Sequence, residues 1–429
     1  MTVEKQLSPP AFDSRRVHLS GRTLAGRDSL LVNCRYLKAE GDALVLAEGT
    51  EFKFDLPVGT RRLFHTGQDG YFYAYAGSTL YRVGNGSSEV IFSNSTLSDV
   101  VRHMNSGGGI QTYAVCGNYV YQLGNDATAI SAPAGGDCGA VYRDRLFTAK
   151  NYRVSYSRAL DVRNSVGGVQ GHGYIDLPHE GGRIRRMVAF DDKLFLFREY
   201  GISYLRVHGD NLTFKAGTIS YSYGRLIERS LAVCGDCIAF LTESGFFRFD
   251  GTVCERIPLG ADINLSLPME GAGFEGTYYA AVILNSDMRA LFVYDFKEKS
   301  THLLPREATA VMASCGVYFV DAYKLYALTR RGVPQGECAV LETELSLLEL
   351  ADGNKYLDAV VVEGEGHFTV EARSESGRAE EAQGAAGHRL AFRYPVRGNA
   401  FAFRIRSYSP NVRICGLTLY VRQEKKYGY

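Results

Sequence analysis

There is no tryptophan in this chain, and no stretch of it stays apolar for 18 residues. The first absence removes the favoured stacking platform of sugar-binding surfaces, although tyrosine can substitute. The second leaves no membrane helix to be expected. The N-terminal "MTVEKQLSPPAFDSRRVHLSGR" is polar and lacks an apolar h-region, so a Sec signal peptide is not expected and synthesis inside the cell is. An excess of one charge is missing too. Lys and Arg number 48 against 47 Asp and Glu, a balance that does not favour a nucleic-acid partner. Cysteine is neither dense nor even in number. Nine are scattered at 34, 116, 138, 234, 237, 254, 315, 338 and 415, so a disulfide framework is not expected.

What is present points one way. The 47 Gly supply turns, and 28 Tyr with 23 Phe favour strands, which makes the chain all-β. At 429 residues it can bury a large core and divide into more than one domain.

A repeat runs through most of it. A short β-rich run, a tight turn and a second β-rich run recur as "YFYAYAGSTLYRV" from Tyr71, "IQTYAVCGNYVYQL" from Ile110, "LFTAKNYRVSYS" from Leu146 and "LFLFREYGISYLRV" from Leu194. Further copies are "IAFLTESGFFRFDG" from Ile238, "YYAAVILNSDMRALFVYDF" from Tyr278 and "VYFVDAYKLYALT" from Val317. Successive starts lie 39, 36, 48, 44, 40 and 39 residues apart. That is the period of one four-stranded β-propeller blade, and each copy reads as the middle hairpin of a blade whose two faces are buried between neighbours. Candidate inner strands precede the hairpins at 184–190, 229–234 and 308–314, and candidate outer strands follow at 88–93, 128–133 and 211–222. Seven copies predict seven blades, with six or eight as alternatives. The early strands "DALVLAEG" and "EFKFDL" (42–56) are expected to complete the last blade and close the ring.

The CxxC of "LAVCGDCIAFL", Cys234 and Cys237, falls into place on this frame. "YRDRLF" (142–147), "FDDKLF" (190–195) and "CGDCIA" (234–239) align, with Asp144, Asp192 and Asp236 in one column. Cys237 takes the slot of Arg145 and Lys193, and Cys234 that of Tyr142 and Phe190. The pair therefore flanks a hairpin turn. A redox CxxC opens a helix in a βαβ setting, and a zinc site needs two further ligands at short spacing. The chain offers neither pattern.

From about Glu342 the repeat stops and alternating strands follow at 355–364, 367–375, 388–396, 399–409 and 412–423. Phe401, Phe403 and Ile405 alternate with Ala402, Arg404 and Arg406, one face buried and one wet. This predicts an antiparallel sandwich-like C-terminal domain with "SGRAEEAQGAAG" (376–387) as a mobile loop. The expected division is an extended arm over 1–28, a propeller over 29–341 including its closing strands, and the β-domain with a short basic and aromatic tail over 342–429.

For chemistry, the strongest cluster is "YIDLPHEGG", holding Asp176, His179 and Glu180 as a potential acid and base. A solvated blade connection is the blander reading. A propeller glycosidase would need carboxylates from several blades in the central channel, and no pattern selects a set. The missing tryptophan also removes WD repeats, the kelch tryptophan and the sialidase Asp-box. "GNGSS" (84–88) and "NSGGG" (105–109) lack P-loop spacing and read as blade loops. His172 and His367 have no ligand-like partner nearby. No catalytic, cofactor-binding or metal-binding residue is assigned, and no cofactor is expected.

One region carries a resemblance. "VSYSRALD" (154–161), "RIRRMVAFDDKLFLFREYGISYL" (183–205) and "RSLAVCGDCIAFLTESGFFRFDG" (229–251) resemble, in this order, a segment of propeller-bearing structural proteins of tailed-phage virions, of neck, nozzle or tail type. "LLVNCRYLKAEGDALVLAEGTEF" (30–52) resembles their opening strands, and the C-terminal β-segment resembles their appended domain. The likeness covers about two-thirds of the chain, consists of strand and turn patterns, and departs in lacking the tryptophans common there. It implies a non-enzymatic assembly protein of a phage or prophage, made in the bacterial cytoplasm and carried in the virion. Its partners would be other virion proteins, with a homo-oligomeric ring in the particle, no membrane and no sequence-specific nucleic acid. The alternatives are a glycan- or peptide-binding propeller and a hydrolase with channel carboxylates such as Asp176.

Overall fold

The structure, a computed structural model, describes residues 12–20, 31–65, 71–84, 87–124, 127–130, 133–163, 171–208, 213–219, 223–259, 261–329, 332–333, 337–348 and 354–424. It divides into two compact units. One holds 51–297 and 305–328, the other the chain up to residue 50 with 298–304 and 329–429.

In chain order, β1 (Phe12–Ser20), β2 (Leu31–Arg35), β3 (Leu37–Glu40) and β4 (Ala43–Leu46) precede β5 (Gly49–Asp55). Blade 1 is β6–β9 (Thr60–His65, Phe72–Ala76, Thr79–Gly84, Ser87–Phe92), and blade 2 is β10–β13 (Leu97–Met104, Ile110–Cys116, Val120–Leu123, Ala127–Ile130). Blade 3 is β14–β17 (Cys138–Tyr142, Arg145–Lys150, Arg153–Tyr156, Gly173–Asp176). Blade 4 is β18–β21 (Ile184–Phe190, Lys193–Arg198, Ile202–Arg206, Lys215–Ile219). Blade 5 is β22–β25 (Ala232–Cys234, Cys237–Thr242, Gly245–Phe249, Cys254–Ile257). Blade 6 places β26–β28 (Glu270–Phe274, Thr277–Ile283, Arg289–Asp295) in this unit, and β29 (Ser300–Leu304) belongs to the other. Blade 7 is β30–β32 (Ala308–Ala313, Val317–Asp321, Lys324–Thr329) with β5 hydrogen-bonded to β32 as its outermost strand.

This is an all-β, seven-bladed propeller. All seven hairpins read from the repeat are the middle strands of a blade. The first strands line the axis: β10 lies beside β14, β14 beside β18, β22 beside β26, β26 beside β30, and β30 beside β6, which closes the ring. Because each sheet is covered on both sides, its second strand is largely buried and apolar, as in the wholly buried Cys237–Thr242. Neighbouring blades touch through aromatic edges, for instance Phe195 on Phe249 at 5.0 Å and Phe246 on Tyr278 at 5.0 Å. Where blades 5 and 6 meet, a Cβ at Gly273 would lie 1.9 Å from the Val233 carbonyl oxygen, so only glycine permits that approach.

The tight turns follow the aligned column. Arg143–Asp144 (φ 47° and 59°) and Asp191–Asp192 (φ 44° and 56°) both have two left-handed central residues, the type I′ hairpin geometry, and Gly235 (φ 65°) opens the third.

The other unit is a sandwich. Its remaining strands are β33 (Ala339–Thr343), β34 (Lys355–Glu365), β35 (His367–Ser374), β36 (Ala379–Ala385), β37 (Arg389–Gly398), β38 (Phe401–Ser407) and β39 (Arg413–Glu424). One sheet runs β3-β4-β39-β34-β37 with β1 also on β39, and the second runs β29-β2-β33-β38-β35-β36. Leu357, Val360, Leu417 and Leu419 of the first pack on Phe368, Val370, Phe403 and Ile405 of the second.

Three expectations change. Only β5 closes the ring. Ala43–Leu46, the core of "DALVLAEG", is buried throughout and pairs with β3 and β39 in the sandwich, where Leu44 and Leu46 fill the core. The boundary therefore does not fall at 341: the sandwich also takes the N-terminal strands, β29 and β33. Finally, the segment read as a mobile loop contains β36, paired with β35 from Ala385↔His367 to Ala379↔Arg373. Its period-2 pattern, buried Ala382 between exposed Glu381 and Gln383, outweighs a poor strand propensity. Of the expected arm, Phe12–Ser20 is β1 on β39, and the rest of 1–28 lies outside the described residues, as does most of the tail.

Candidate functional site

The sequence clusters do not converge. Asp176 ends the outermost strand of blade 3 and receives Nε and a terminal nitrogen of Arg153 at 2.7 and 2.8 Å, a cross-strand pair in solvent. The hydrogen bond from Arg153 holds its carboxyl below the usual range. His179 stacks on Tyr152 at 4.0 Å between centroids. Asp176 therefore faces no channel, which corrects its role as a channel carboxylate.

Cys234 and Cys237 are directly paired across the hairpin and buried. Burial pushes the Cys237 thiol to about 11 despite its hydrogen bond with Arg248, and drives Cys234 far above the ordinary range. Neither is a nucleophile at neutral pH. The Cys-x-x-Cys is a turn.

What the sequence did not single out is a polar network on the axis. In three blades the third residue of the first strand is charged: Arg62 in β6, Asp99 in β10 and Arg186 in β18. Each sits where the register slips, between Thr60 and Arg62, Leu97 and Asp99, and Ile184 and Arg186. Such a bulge re-aims the side chain that follows it. Asp99 accepts Arg186 at 2.6 and 2.8 Å and the Gly139 N–H at 2.9 Å, with Arg62 at 3.6 Å. Glu270, the first residue of β26, lies 3.5 Å from Arg62 and 3.7 Å from Arg229, the middle residue of the short 3-10 turn Glu228–Ser230 before blade 5. Blades 2 and 4 are not neighbours, and neither are blades 1 and 6. These contacts therefore cross the axis, and the network fills the centre of the ring where the first strands begin.

Its electrostatics follow from how Asp99 is shared. For Arg186 burial lowers the pKa, but the two short bonds to Asp99 outweigh it and the net shift is upward. Arg62 donates to the Leu97 carbonyl at 2.9 Å but meets its carboxylates only at 3.5 and 3.6 Å, so burial wins and lowers it to about 10, still charged at neutral pH. Burial likewise raises Glu270 to about 7, against the pull of Arg62 and Arg229.

Beside the network lies a cavity of about 420 Å³, formed by the lead-ins to blades 5 and 6 and the β23–β24 turn. Arg229 belongs to both. Arg225 and Glu243, 3.8 Å apart and more than half exposed, stand at its edge, and Leu226, Leu267 and Met269 supply apolar wall. The size suits a small ligand. Among the described residues no group of three or more His, Cys, Asp or Glu is placed to hold a metal ion.

A separate buried cluster belongs to the sandwich unit. Glu48 bonds the His302 ring at 2.8 Å and Lys38 at 2.8 Å. Burial pushes its carboxyl up, but His302 and Lys38 together hold it at about 2.

No protein-family model and no curated protein matches the chain. Solved structures with similar folds include the extracellular domain of what is described as a hybrid two component system of B. thetaiotaomicron, with TM-score 0.49 and 8% identity, matched over 86% of this chain. The chain spans 62% of the length of that structure. BBS1N in complex with ARL6DN matches with TM-score 0.45 and 12% identity over 68% of this chain and 97% of that one. The Neurospora crassa Pan2 WD40 domain gives 0.41 and 10% over 63% and 89%. The architecture rests on the seven sheets themselves. Among the described residues no helix is long and apolar enough to cross a membrane.

Proposed function

We propose that the chain is a non-enzymatic structural protein of a tailed-phage or prophage virion, a neck, nozzle or tail component that acts through its protein surfaces. The observation that supports this best is where the resembling segments fall. "VSYSRALD" falls on the third strand of blade 3, "RIRRMVAFDDKLFLFREYGISYL" on blade 4 with the type I′ turn at Asp191–Asp192, and "RSLAVCGDCIAFLTESGFFRFDG" on blade 5 with Gly235 opening its turn. The filled axis fits a scaffold: the channel carboxylates Asp99 and Glu270 are held by the protein's own arginines rather than offered to a substrate. A ring of such discs in a particle would use heterologous contacts between neighbours. The test is mass spectrometry of phage-like particles purified from an induced culture of the organism that encodes the chain. Its presence in stoichiometric amount is expected. Clean absence from complete particles would end the virion reading.

The cavity beside Arg229 favours a second reading, a propeller that binds a glycan or peptide. A glycan or peptide library screened by thermal shift, with Arg225→Ala as control, decides it: stabilisation that disappears in the variant supports binding there.

A further inference from the structure

The two outer faces of the sandwich treat arginine in opposite ways. On the sheet containing β33, β38, β35 and β36, each arginine of one row has its glutamate. Arg404 meets Glu342 at 2.8 Å, Arg373 meets Glu371 at 2.6 Å, and Arg406 meets Glu381.

On the sheet of β1, β39, β34 and β37 the partners run out. Register places Arg16 opposite Tyr420, and Tyr356 opposite both Arg422 and Arg397, while Arg389 lies opposite Val361. All these residues are on the face away from the core, where Tyr356, Asp358, Val361 and Glu363 alternate with buried Leu357, Val360 and Val362. The tyrosines are capped by guanidinium groups. Arg389 and Arg16 lie 4.6 and 5.2 Å from the Tyr420 ring, and Arg397 and Arg422 lie 5.7 and 5.9 Å from Tyr356. Asp358 and Glu363 stand on this face among them. Asp358 takes Arg422 through two bonds of 2.7 Å, and Glu363 accepts the Thr418 hydroxyl at 2.6 Å. Among the described residues, Arg16, Arg389 and Arg397 have no carboxylate within ion-pair distance, and all three are exposed.

A guanidinium stacked on a tyrosine loses little further freedom when it binds, and its in-plane N–H donors remain available for a planar acceptor. Asp358 shows on the same face what that acceptor is: a carboxylate gripped at two points. Arginine and proline on the edge strand β37 would by themselves deter strand pairing. Arg16 comes from β1, on the opposite side of the sheet, and extends the row beyond that role.

We propose that this arginine–tyrosine face docks an acidic protein surface, a neighbouring chain that supplies the carboxylates Glu342, Glu371 and Glu381 supply on the other sheet. The choice of a protein over another polyanion rests on the assembly reading above; the charge of the face does not.

The test uses the full chain and a fluorescein-labelled octaglutamate peptide, with a thymidine oligonucleotide of matched charge as rival, read by anisotropy at low salt. The variant is R389E/R397E, with R389Q/R397Q in reserve should the reversal impair folding, and R289E, at an exposed residue that opens a propeller strand, as control. The peptide should bind wild type and R289E alike and lose about tenfold in R389E/R397E, the sum expected of two exposed pairs. Equal binding to R389E/R397E, or none to wild type at about 1 mM peptide, overturns the proposal. So does an oligonucleotide bound more tightly than the peptide and lost in the same variant, which would make the face a nucleic-acid surface. Presence in particles with no peptide binding defeats only this proposal, and binding without presence defeats only the virion reading.

Discussion

Removing Asp99 should unbalance the propeller from its centre. In Asp99→Ala, Arg186 loses both of its short bonds, Arg62 loses one of two carboxylates, and the Gly139 N–H loses its acceptor. Arg62 is 5% exposed, so water cannot replace what is lost there. Breaking a buried pair from one side costs roughly 3–5 kcal/mol, because a charge is left without compensation. For a unit of this size that corresponds to a fall in Tm of roughly 6–20 °C. The control is Asp99→Leu combined with Arg186→Met. Removing both charges leaves a desolvated apolar contact and should recover most of the loss, with a coupling energy of about 2 kcal/mol or more in the cycle. The assay is thermal and urea unfolding of wild type, Asp99→Ala, Asp99→Leu, Arg186→Met and the double variant, followed by tyrosine fluorescence and far-ultraviolet dichroism. Asp99→Ala within about 0.5 kcal/mol of wild type would refute the reasoning. It would mean the axis is hydrated and the arginines are served by water, a channel rather than a plug.

The two units should respond to pH with opposite sign. Glu270 has a folded pKa near 7 against 4.5, so its contribution is fully present below pH 4.5 and fades as pH rises through 7, by up to about 3 kcal/mol relative to Glu270→Gln. Glu48, near 2 against 4.5, contributes above pH 4.5 and loses that contribution as pH falls through 2, by a similar amount relative to Glu48→Gln. Urea midpoints across pH check both, and parallel profiles for wild type and variant would count against the respective site. Labelling native protein with a thiol reagent should modify exposed Cys315 before Cys116, Cys138, Cys234 or Cys237; fast reaction at Cys237 would revive a redox role for the Cys-x-x-Cys. Gly273→Ala should destabilise by several kcal/mol because its Cβ meets the Val233 carbonyl at 1.9 Å, whereas Gly276→Ala, at φ 78° with open space around it, should cost only about 1 kcal/mol. Comparable melting of the two would contradict the close approach of blades 5 and 6.

The blade repeat was legible because burial on both faces writes itself into consecutive residues: "IAFLT" and "LFLFR" can only be interior strands. Turn chemistry was legible at the Asp column, where the left-handed positions are taken by Asp144, Asp191, Asp192 and Gly235. The course of the chain between units was not. Ala43–Leu46 and Gly49–Asp55 look alike as short strands two residues apart, and only the available partner, β39 for one and β32 for the other, sends them to different sheets. The axial network was half visible. An arginine or aspartate in the third place of "TRRLFH", "LSDVVRHM" and "IRRMVAF" breaks an apolar strand, and that is a signal. Which of them meet is fixed by the size of the ring and by one-residue bulges, neither of which sequence periodicity encodes.

That division has a physical consequence for where function lies. Inside the propeller, three arginines converge from the ring's inner edge and meet Asp99 and Glu270 across the axis, which ties the blades to one another. On the β1–β39–β34–β37 face, Arg16, Arg389 and Arg397 lie over tyrosine rings and, among the described residues, have no carboxylate within ion-pair distance, while Asp358 takes Arg422. A neutral chain that pairs its charges at the propeller axis and leaves Arg16, Arg389 and Arg397 without a carboxylate among the described residues fits the docking proposed for that tyrosine-backed sheet. The rigid disc holds its own geometry, and the sandwich face carries the unmet demand for an acidic neighbour.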